Sequence, residues 1–283
     1  MNRFFTLLLV LPSLVYGTTS YDTLFINHGT EEYAFLDYHF LAFNSSDEES
    51  ARNHPVYFEA DTLVLTVFNR DSVSHSVSVD ALGFESESIA PLQSETVVLN
   101  FEDNDGVYRL YCSSPRGWML GASTILLKGY GNAESRYFWN LYDQEHGLDS
   151  LILDESVSSI PISGYRPSAF TINGNIYPNT VSDTSALVQN AVGDEVIIAI
   201  VNSGKMSHTL HFHGFHITIL TASLDSHREG WIKDTFNLLP GEAMTIKLVP
   251  HQPGHYPVHN HNLIAVNTGG YPGGMITMLQ IEP

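Results

Sequence analysis

The stretch Asp194–Leu220, DEVIIAIVNSGKMSHTLHFHGFHITIL, decides the fold. Runs of Val, Ile, Phe and Thr alternate in it with short polar and glycine-containing segments, which is typical of β-strands joined by turns. Side chains alternate between the two faces of a strand. His211 and His213 therefore share one face, about 7 Å apart along the backbone, while His208 and His216 point to the other. The stretch predicts β-structure with an H-x-H pair on one face.

The same plan occurs earlier in the chain. DTLVLTVFNRDSVSHSVSVDALGF, at residues 61–84, also places a histidine after a strand that ends in an apolar residue and Asn. In both halves the histidine segment is followed by a strand with Gly or Asp and then Tyr, and by a closing apolar strand near a Met. This duplication predicts an all-β protein of two similar sandwiches, each of about 110 residues.

The predicted organisation has four parts. MNRFFTLLLVLPSLVYG, residues 1–17, has one Arg, an apolar run and a small final residue, so we expect a secretory signal peptide and an exported protein. The apolar run is too short to span a bilayer. We assign 18–130 to the first domain, 131–165 to a connector with a strand at its start, and 166–283 to the second domain.

Composition limits the partners. The formal net charge is −19, which argues against nucleic acid and anionic membranes because both are bound through Lys and Arg. Cys112 is the only cysteine, so no internal disulfide can form. In an exported protein a single cysteine is either buried and inert, a pairing site for another chain, or a metal thiolate.

A second imidazole pair lies near the carboxyl end. PGHYPVHNHNL contains His259 and His261, again two residues apart, with Asn260 on the opposite face and His255 nearby. Two H-x-H pairs on neighbouring strands can converge, and neutral imidazole binds copper, zinc, iron or nickel. The alternative is a set of core histidines held by hydrogen bonds, which would require many buried partners. We therefore predict a metal site.

A family resemblance follows from these motifs. INGNIYP, VGDEVIIAIVN, SHTLHFHGFH, KDTFNLLPGEAMTIKL, PGHYPVHNHN and GGM, in this order, resemble the last domain of multicopper oxidases. The chain is similar in layout to two-domain laccases and copper nitrite reductases. The resemblance implies two cupredoxin-like Greek-key domains, copper as the metal and a homotrimer.

Residue roles carried over from the family fall mostly on the second domain. His211, His213, His259 and His261 match ligands of the family's trinuclear copper cluster. His208 matches a ligand of the blue copper, but the cysteine of that site is Asn260 here. An amide cannot replace a thiolate, so we expect no blue copper in this domain and a structural or accessory role for His208.

The first domain shows a partial blue-copper pattern. GVYRLYCSSPRGWMLGA resembles the blue-copper loop, with Cys112 at the cysteine position, Met119 at the axial position and His75 at the upstream histidine. The loop's own histidine is missing. The set is either an atypical or vestigial copper site, or a buried thiol beside core residues.

Several functions stay open at this stage. The family's trinuclear cluster needs four more histidines from another domain, and at most one is present, so we expect one or two coppers per chain instead. A copper oxidoreductase acting on dioxygen, nitrite or a phenolic compound is the first hypothesis, with Asp234 and His255 as accessory candidates and no catalytic residue assigned. A non-catalytic protein for copper sequestration or delivery is the second. A cupin-type metal protein is the third, disfavoured by the duplication.

Overall fold

The computed structural model describes residues 18–101, 104–154, 159 and 162–283. The predicted signal peptide at residues 1–17 lies outside the described residues. In the described part of the chain, no helix has the length and apolar character needed to cross a membrane.

Strands dominate both halves, as the alternating apolar runs predict. The first half contains β1 Thr19–Tyr33, β2 Leu36–Asn44, β3 Val56–Phe58, β4 Thr62–Asn69, β5 Val77–Val79, β6 Phe84–Glu85, β7 Ser94–Asn100, β8 Gly106–Cys112 and β9 Ser123–Lys128. The second half contains β10 Ser135–Gln144, β11 Ala169–Ile172, β12 Val188–Ala191, β13 Val196–Asn202, β14 His208–Phe212, β15 Ile217–Ala222, β16 Ile232–Lys233, β17 Thr235–Leu238, β18 Ala243–Leu248, β19 Gly254–Asn260 and β20 Ile276–Glu282. Among the described residues, the short helix α1 Pro115–Met119 lies between β8 and β9, and the short helix α2 Leu148–Leu153 lies between β10 and β11.

The strand orders of the two halves share a common plan, with two further strands, β15 and β16, at one edge of the second sandwich. The first sandwich pairs a sheet of order β2-β1-β4-β7 with one of order β3-β9-β8-β5-β6. The second pairs a sheet of order β11-β10-β13-β18-β15-β16 with one of order β12-β20-β19-β14-β17. The parallel pairs β1–β4 and β3–β9 recur as β10–β13 and β12–β20. The structure therefore shows the duplication that the sequence suggested.

Residues 131–165 are the segment predicted as a connector with a strand at its start. They contain the whole of β10, which pairs in parallel with β13 from Ser135 opposite Val196 to Leu141 opposite Asn202. Strand β10 is the counterpart of β1, so it is the first strand of the second sandwich. Asn140 and Asp143 are buried within β10. Asn140 Nδ2 donates to the carbonyl of Ser123, and Asp143 Oδ2 contacts His208 Nε2, so both side chains reach partners distant in sequence.

Each sandwich has its own apolar core, and a third cluster joins them. Strand β13 is buried at every position because both of its faces are covered. Ile198 and Ile200 belong to the core of the second sandwich. Ala199 and Val201 pack in a separate cluster with Leu127 of β9, so a sheet of the first sandwich packs face to face against a sheet of the second.

Candidate metal centre

Two adjacent antiparallel strands bring the H-x-H pairs together. Strand β14 pairs with β19, and His211 lies directly opposite His259. Leu210 and Phe212 are buried in the core of the second sandwich, so the alternation turns His211 outward. The ring centroid of His211 is 4.7 Å from that of His213, 5.6 Å from that of His259 and 5.8 Å from that of His261. The four rings, called the imidazole quartet below, form one group on the outer face of the sheet.

The ring nitrogens of the quartet suit metal ligation. His213 Nε2 and His259 Nε2 are 3.1 Å apart, a spacing that fits two adjacent ligands of one ion with metal–nitrogen bonds of about 2.0 Å. His259 Nδ1 lies 2.9 Å from the carbonyl oxygen of Asn260. Because a carbonyl only accepts, this contact places the ring proton on Nδ1 and leaves the Nε2 lone pair for a metal. His211 Nδ1 is 2.7 Å from Thr235 Oγ1. Because this contact uses only Nδ1, it leaves the Nε2 atom of His211 to face a metal.

The four rings of the quartet do not form a preformed coordination site. Among the described residues, no three His, Cys, Asp or Glu side chains already converge on one ion position. His213 and His259 have the spacing of a ligand pair, and the other two rings would have to turn about their side-chain bonds to join them. Partial burial and the neighbouring rings of His211 and His259 lower the pKa of His213 below 6.5, which favours the neutral form that a metal requires. The donor set therefore fits a metal that prefers imidazole nitrogen.

The accessory candidates lie outside the quartet. His255 is exposed on β19 opposite Gln280, four residues before His259 and so about 13 Å along the strand. Asp234 contributes its backbone carbonyl, which accepts a hydrogen bond from the amide of Phe212 at 2.8 Å. The side chain that orients a quartet ring is its neighbour Thr235, which the sequence pattern did not single out.

His208 occupies the opposite, buried side of β14. Its Nδ1 lies 2.9 Å from Asn260 Nδ2, and its Nε2 lies 3.0 Å from Asp143 Oδ2. Asn260 Nδ2 also contacts Met275 Sδ at 3.4 Å. All four side chains are buried. The position matched to a blue copper thus holds a hydrogen-bonded amide in place of a thiolate, and Asp143 enters from β10, 65 residues away in sequence.

The first-domain set shows the same arrangement with a thiol. His75 Nδ1 is 3.2 Å from Cys112 Sγ and 3.0 Å from Ser114 Oγ, and Ser114 Oγ is 3.1 Å from Cys112 Sγ. His75 Nε2 is 2.9 Å from Asp71 Oδ2. Burial opposes a charge on His75, but the hydrogen bonds to Asp71 and Cys112 outweigh it and raise the pKa of His75 to about 9. The structure brings His75 and Cys112 together as a buried hydrogen-bonded group.

Helix α1 closes the space around this thiol. A Cβ atom on Gly117 would lie 2.1 Å from Cys112 Sγ, so only glycine allows the helix to approach so closely. Met119 is buried in the first-domain core, and Arg116 turns away to an ion pair with Asp71 at 3.1 Å. Within the described residues, no second imidazole contacts Cys112. A two-histidine blue-copper set is therefore not assembled here.

Among the described residues of the first domain, the strand pair that corresponds to β14–β19 carries no equivalent of the quartet. In the corresponding strand pair β5–β8, the residues that match His211 and His259 are Ser78 and Tyr111. Tyr111 donates its hydroxyl to Asp80 at 2.8 Å. Oxygen-bearing side chains take the place of imidazoles on that face, so the described imidazole cluster belongs to the second domain.

Comparisons with known proteins agree with this architecture. A sequence model described as multicopper oxidase matches residues 156–272. Human ceruloplasmin is 30% identical over 100 residues, which cover 35% of this chain and 8% of that protein. The blue copper oxidase from Nitrosomonas europaea aligns with a TM-score of 0.75 and 19% identity over 93% of this chain and 86% of that one. The copper nitrite reductase from Nitrosomonas europaea aligns with a TM-score of 0.69 and 18% identity over 94% of each chain.

These structural likenesses confirm the predicted fold of two cupredoxin-like Greek-key sandwiches. They therefore exclude the cupin alternative. The family model matches the domain that carries the quartet. Residues 156–272 are therefore similar in sequence to the multicopper oxidase family.

Proposed function

We propose that the chain is an exported copper protein whose imidazole quartet binds one or two copper ions, and that it acts as a copper-dependent oxidoreductase. The observation that carries this proposal is the pairing of His211 with His259 across β14 and β19, with His213 Nε2 and His259 Nε2 3.1 Å apart. Copper heads the affinity order of divalent metals for such nitrogen sites. The names of the related proteins, which include a blue copper oxidase and a copper nitrite reductase, support the same metal.

The chain's own residues would hold and orient the ligands. Thr235 fixes the ring of His211 through Nδ1, and the Asn260 carbonyl fixes the tautomer of His259. Leu210 and Phe212 anchor the strand from the core side. Copper, when bound, would supply one-electron transfer and polarisation of a coordinated oxygen. His213 and His261 are exposed, so the side of the quartet away from the sheet stays open to a substrate.

The first test removes the ligand pair on β14. We expect the double variant His211→Ala/His213→Ala to lose tight binding of copper, measured by competition with a chromogenic chelator. His216→Ala is the matched control, because His216 is exposed, close in sequence and separated from the quartet by the turn after His213. Tight binding retained by the double variant would refute the assignment.

A non-catalytic copper carrier is the second candidate. It is favoured by the two altered blue-copper positions, since Asn260 replaces the thiolate in one domain and no second imidazole reaches Cys112 in the described part of the other. An oxidoreductase should consume oxygen or reduce nitrite when loaded with copper and given an electron donor. A carrier should do neither, yet should release copper to a chelator. Loss of a visible thiolate band in Cys112→Ser would show that the first-domain set also binds copper.

Export and assembly belong to the same proposal. Residues 1–17 have the composition of a signal peptide, so secretion of a tagged chain with and without this segment tests export. The resemblance suggests a homotrimer, and the open side of the quartet would let a neighbouring subunit add a ligand. Sedimentation of the copper-loaded chain tests the trimer, and a monomer that binds copper fully would contradict it.

A further inference from the structure

The turn before His208 in the second sandwich matches the turn before His75 in the first. Asn202 and Asn69 each lie six residues before the histidine. Each asparagine Nδ2 donates to the backbone carbonyl four residues further on, at 2.8 Å and 2.7 Å. The amide two residues after each asparagine donates back to its side-chain oxygen. The two turns therefore follow the same backbone course.

The carboxylate beside the histidine comes from different places in the two turns. Asp71, within the first turn, lies 2.9 Å from His75 Nε2. The residue at the position of Asp71 in the second turn is Gly204, and Nε2 of His208 instead lies 3.0 Å from Oδ2 of Asp143 in β10. A Cβ atom on Gly204 would collide with that oxygen. Asp143 thus fills the space of a side chain at 204, and both sandwiches keep one carboxylate beside the ring.

The hydrogen bonds run in one direction from Asn260 to Asp143. Asn260 Nδ2 only donates, so His208 Nδ1 accepts its hydrogen bond at 2.9 Å and the ring proton lies on Nε2. The His208 ring donates that proton to the carboxylate of Asp143. The same carboxylate oxygen accepts the backbone amides of Lys205 and Met206 at 2.9 Å and 3.1 Å. Asp143 therefore determines both the position and the tautomer of the His208 ring.

Asn260 carries this constraint to the outer face of β19. Its side chain is held at both ends, because Oδ1 accepts the amide of Asn262 at 2.9 Å while Nδ2 donates to His208. Its backbone carbonyl lies 2.9 Å from Nδ1 of His259. Fixing the Asn260 side chain thus fixes the peptide whose carbonyl orients the His259 ring.

We propose that Asp143 is a positioning residue for the quartet. It holds the ring of His208, and His208 holds the side chain of Asn260. The Asn260 carbonyl then keeps the proton of His259 on Nδ1 and leaves Nε2 for a metal. The expected effect on copper affinity rests on the proposed function, whereas the effect on the His259 ring does not.

The test follows the ring nitrogens of His259 by nitrogen-15 NMR in the metal-free full chain at pH 8. In the wild type, Nδ1 should have the shift of a protonated nitrogen and Nε2 that of an unprotonated one. In Asp143→Asn the amide accepts from His208 less strongly than a carboxylate does. The two shifts of His259 should then approach each other, because both tautomers become populated. Copper binding, measured by chelator competition, should weaken by about three- to tenfold, since Asp143 acts through intermediate groups.

Asp183→Asn is the matched control. Asp183 is also a buried carboxylate of the second sandwich, at 6% exposure, but its partners are Arg52, Asn173 and Ser185. This variant loses a buried charge in the same way as Asp143→Asn. It should be destabilised against urea and should keep both nitrogen shifts of His259 at their wild-type values.

A second pair of variants moves the carboxylate to the position that it has in the first sandwich. Asp143→Ala should bring the two His259 shifts together, as Asp143→Asn does. Asp143→Ala/Gly204→Asp should restore the wild-type shifts, because residue 204 then holds His208 as Asp71 holds its own histidine four residues further on. Recovery in the double variant distinguishes a positioning role from a general loss of stability.

Four results would overturn the proposal: unchanged His259 shifts in Asp143→Asn, an equal change in Asp183→Asn, no recovery in the double variant, or unchanged copper affinity in Asp143→Asn. If Asp143→Asn does not fold, Asn260→Ala takes its place with the same expectations, because it removes the next group in the series. The shifts are measured without metal. A wild type that binds no copper would therefore contradict the proposed function alone, and the His259 shifts would still decide the role of Asp143.

Discussion

Thr235 is the residue on which the orientation of His211 depends. Its hydroxyl lies 2.7 Å from His211 Nδ1, and it faces His211 across β17 and β14. Groups that hold the second nitrogen of a ligand histidine change metal affinity by about 10- to 100-fold. We expect Thr235→Val, which keeps the shape of the side chain, to weaken copper binding by at least about tenfold, measured by chelator competition.

Thr209→Val is the control for this prediction. Thr209 lies on the same outer face of β14, but its hydroxyl donates to Asn237 at 3.1 Å and not to a quartet ring. If both variants bind copper as wild type does, Thr235 does not orient His211. If both variants weaken copper binding equally, the effect comes from a general change in the sheet and not from the hydrogen bond of Thr235.

The buried pair His75–Asp71 makes stability depend on pH. The pKa of His75 is raised to about 9 in the folded chain, above its ordinary value of about 6.5 when unfolded. The pair therefore contributes its full stability below about pH 6.5 and loses it as the pH rises through about 9. We expect the free energy of unfolding to fall by about 1–3 kcal/mol over this range.

Urea unfolding at pH 6.5, 7.5 and 9, in the presence of a chelator, measures this slope of the free energy of unfolding against pH. Asp71→Asn should remove most of it, because the amide no longer favours the charged imidazole. The control Asp47→Asn should keep the slope, since Asp47 forms an exposed ion pair with Arg70. A wild-type stability that is flat between pH 6.5 and 9 would contradict the raised pKa.

At the scale of elements, the β1–β2 hairpin carries a strained turn. Tyr33 pairs with Leu36, so Ala34 and Phe35 form a two-residue turn, and both have left-handed φ values of 54° and 67°. Asn and Gly suit these positions, whereas a residue with a larger side chain costs about 1–2 kcal/mol there. Phe35 is 94% exposed, so little packing would be lost on its removal.

Phe35→Gly should therefore stabilise the chain by about 0.5–1 kcal/mol, measured by urea unfolding. Phe35→Ala is the control, because it removes the ring but keeps a Cβ atom at the same φ. A gain in both variants would assign the effect to the exposed ring, and a loss in Phe35→Gly would show that the ring is held by contacts outside this chain.

The strands themselves were predictable to different degrees. Strand β4 alternates in burial, as its sequence TLVLTVFN predicts for a sheet with one covered face. Strand β13 is apolar throughout, and packing within the second sandwich alone does not explain why Ala199 and Val201 are buried. The reason is the contact with the first sandwich, which depends on how two domains dock and not on any local pattern.

At the scale of the whole molecule, the sequence predicts side-chain direction within one strand but not which distant strands come into contact. The parity of His211 against His208 follows from strand geometry alone, and the structure places them on opposite faces of β14. His213, just after the strand, lies beside His211. Asp143 and Thr235 could not be found in this way, because they meet His208 and His211 from 65 and 24 residues away. Their roles depend on strand order, which a single sequence does not encode locally.

Packing between the sandwiches should couple the stability of the two domains. Leu127 is fully buried in the cluster that joins β9 to β13, so Leu127→Ala should lower the free energy of unfolding by about 2–4 kcal/mol. Hydrogen exchange should also become faster in β13, although the substitution lies in the other domain, because the cavity opens against Ala199 and Val201. Leu92→Ala, at a side chain 72% exposed, should change stability by less than about 0.5 kcal/mol. Unchanged protection of β13 in Leu127→Ala would mean that the two sandwiches unfold independently and that the quartet is held by the second domain alone.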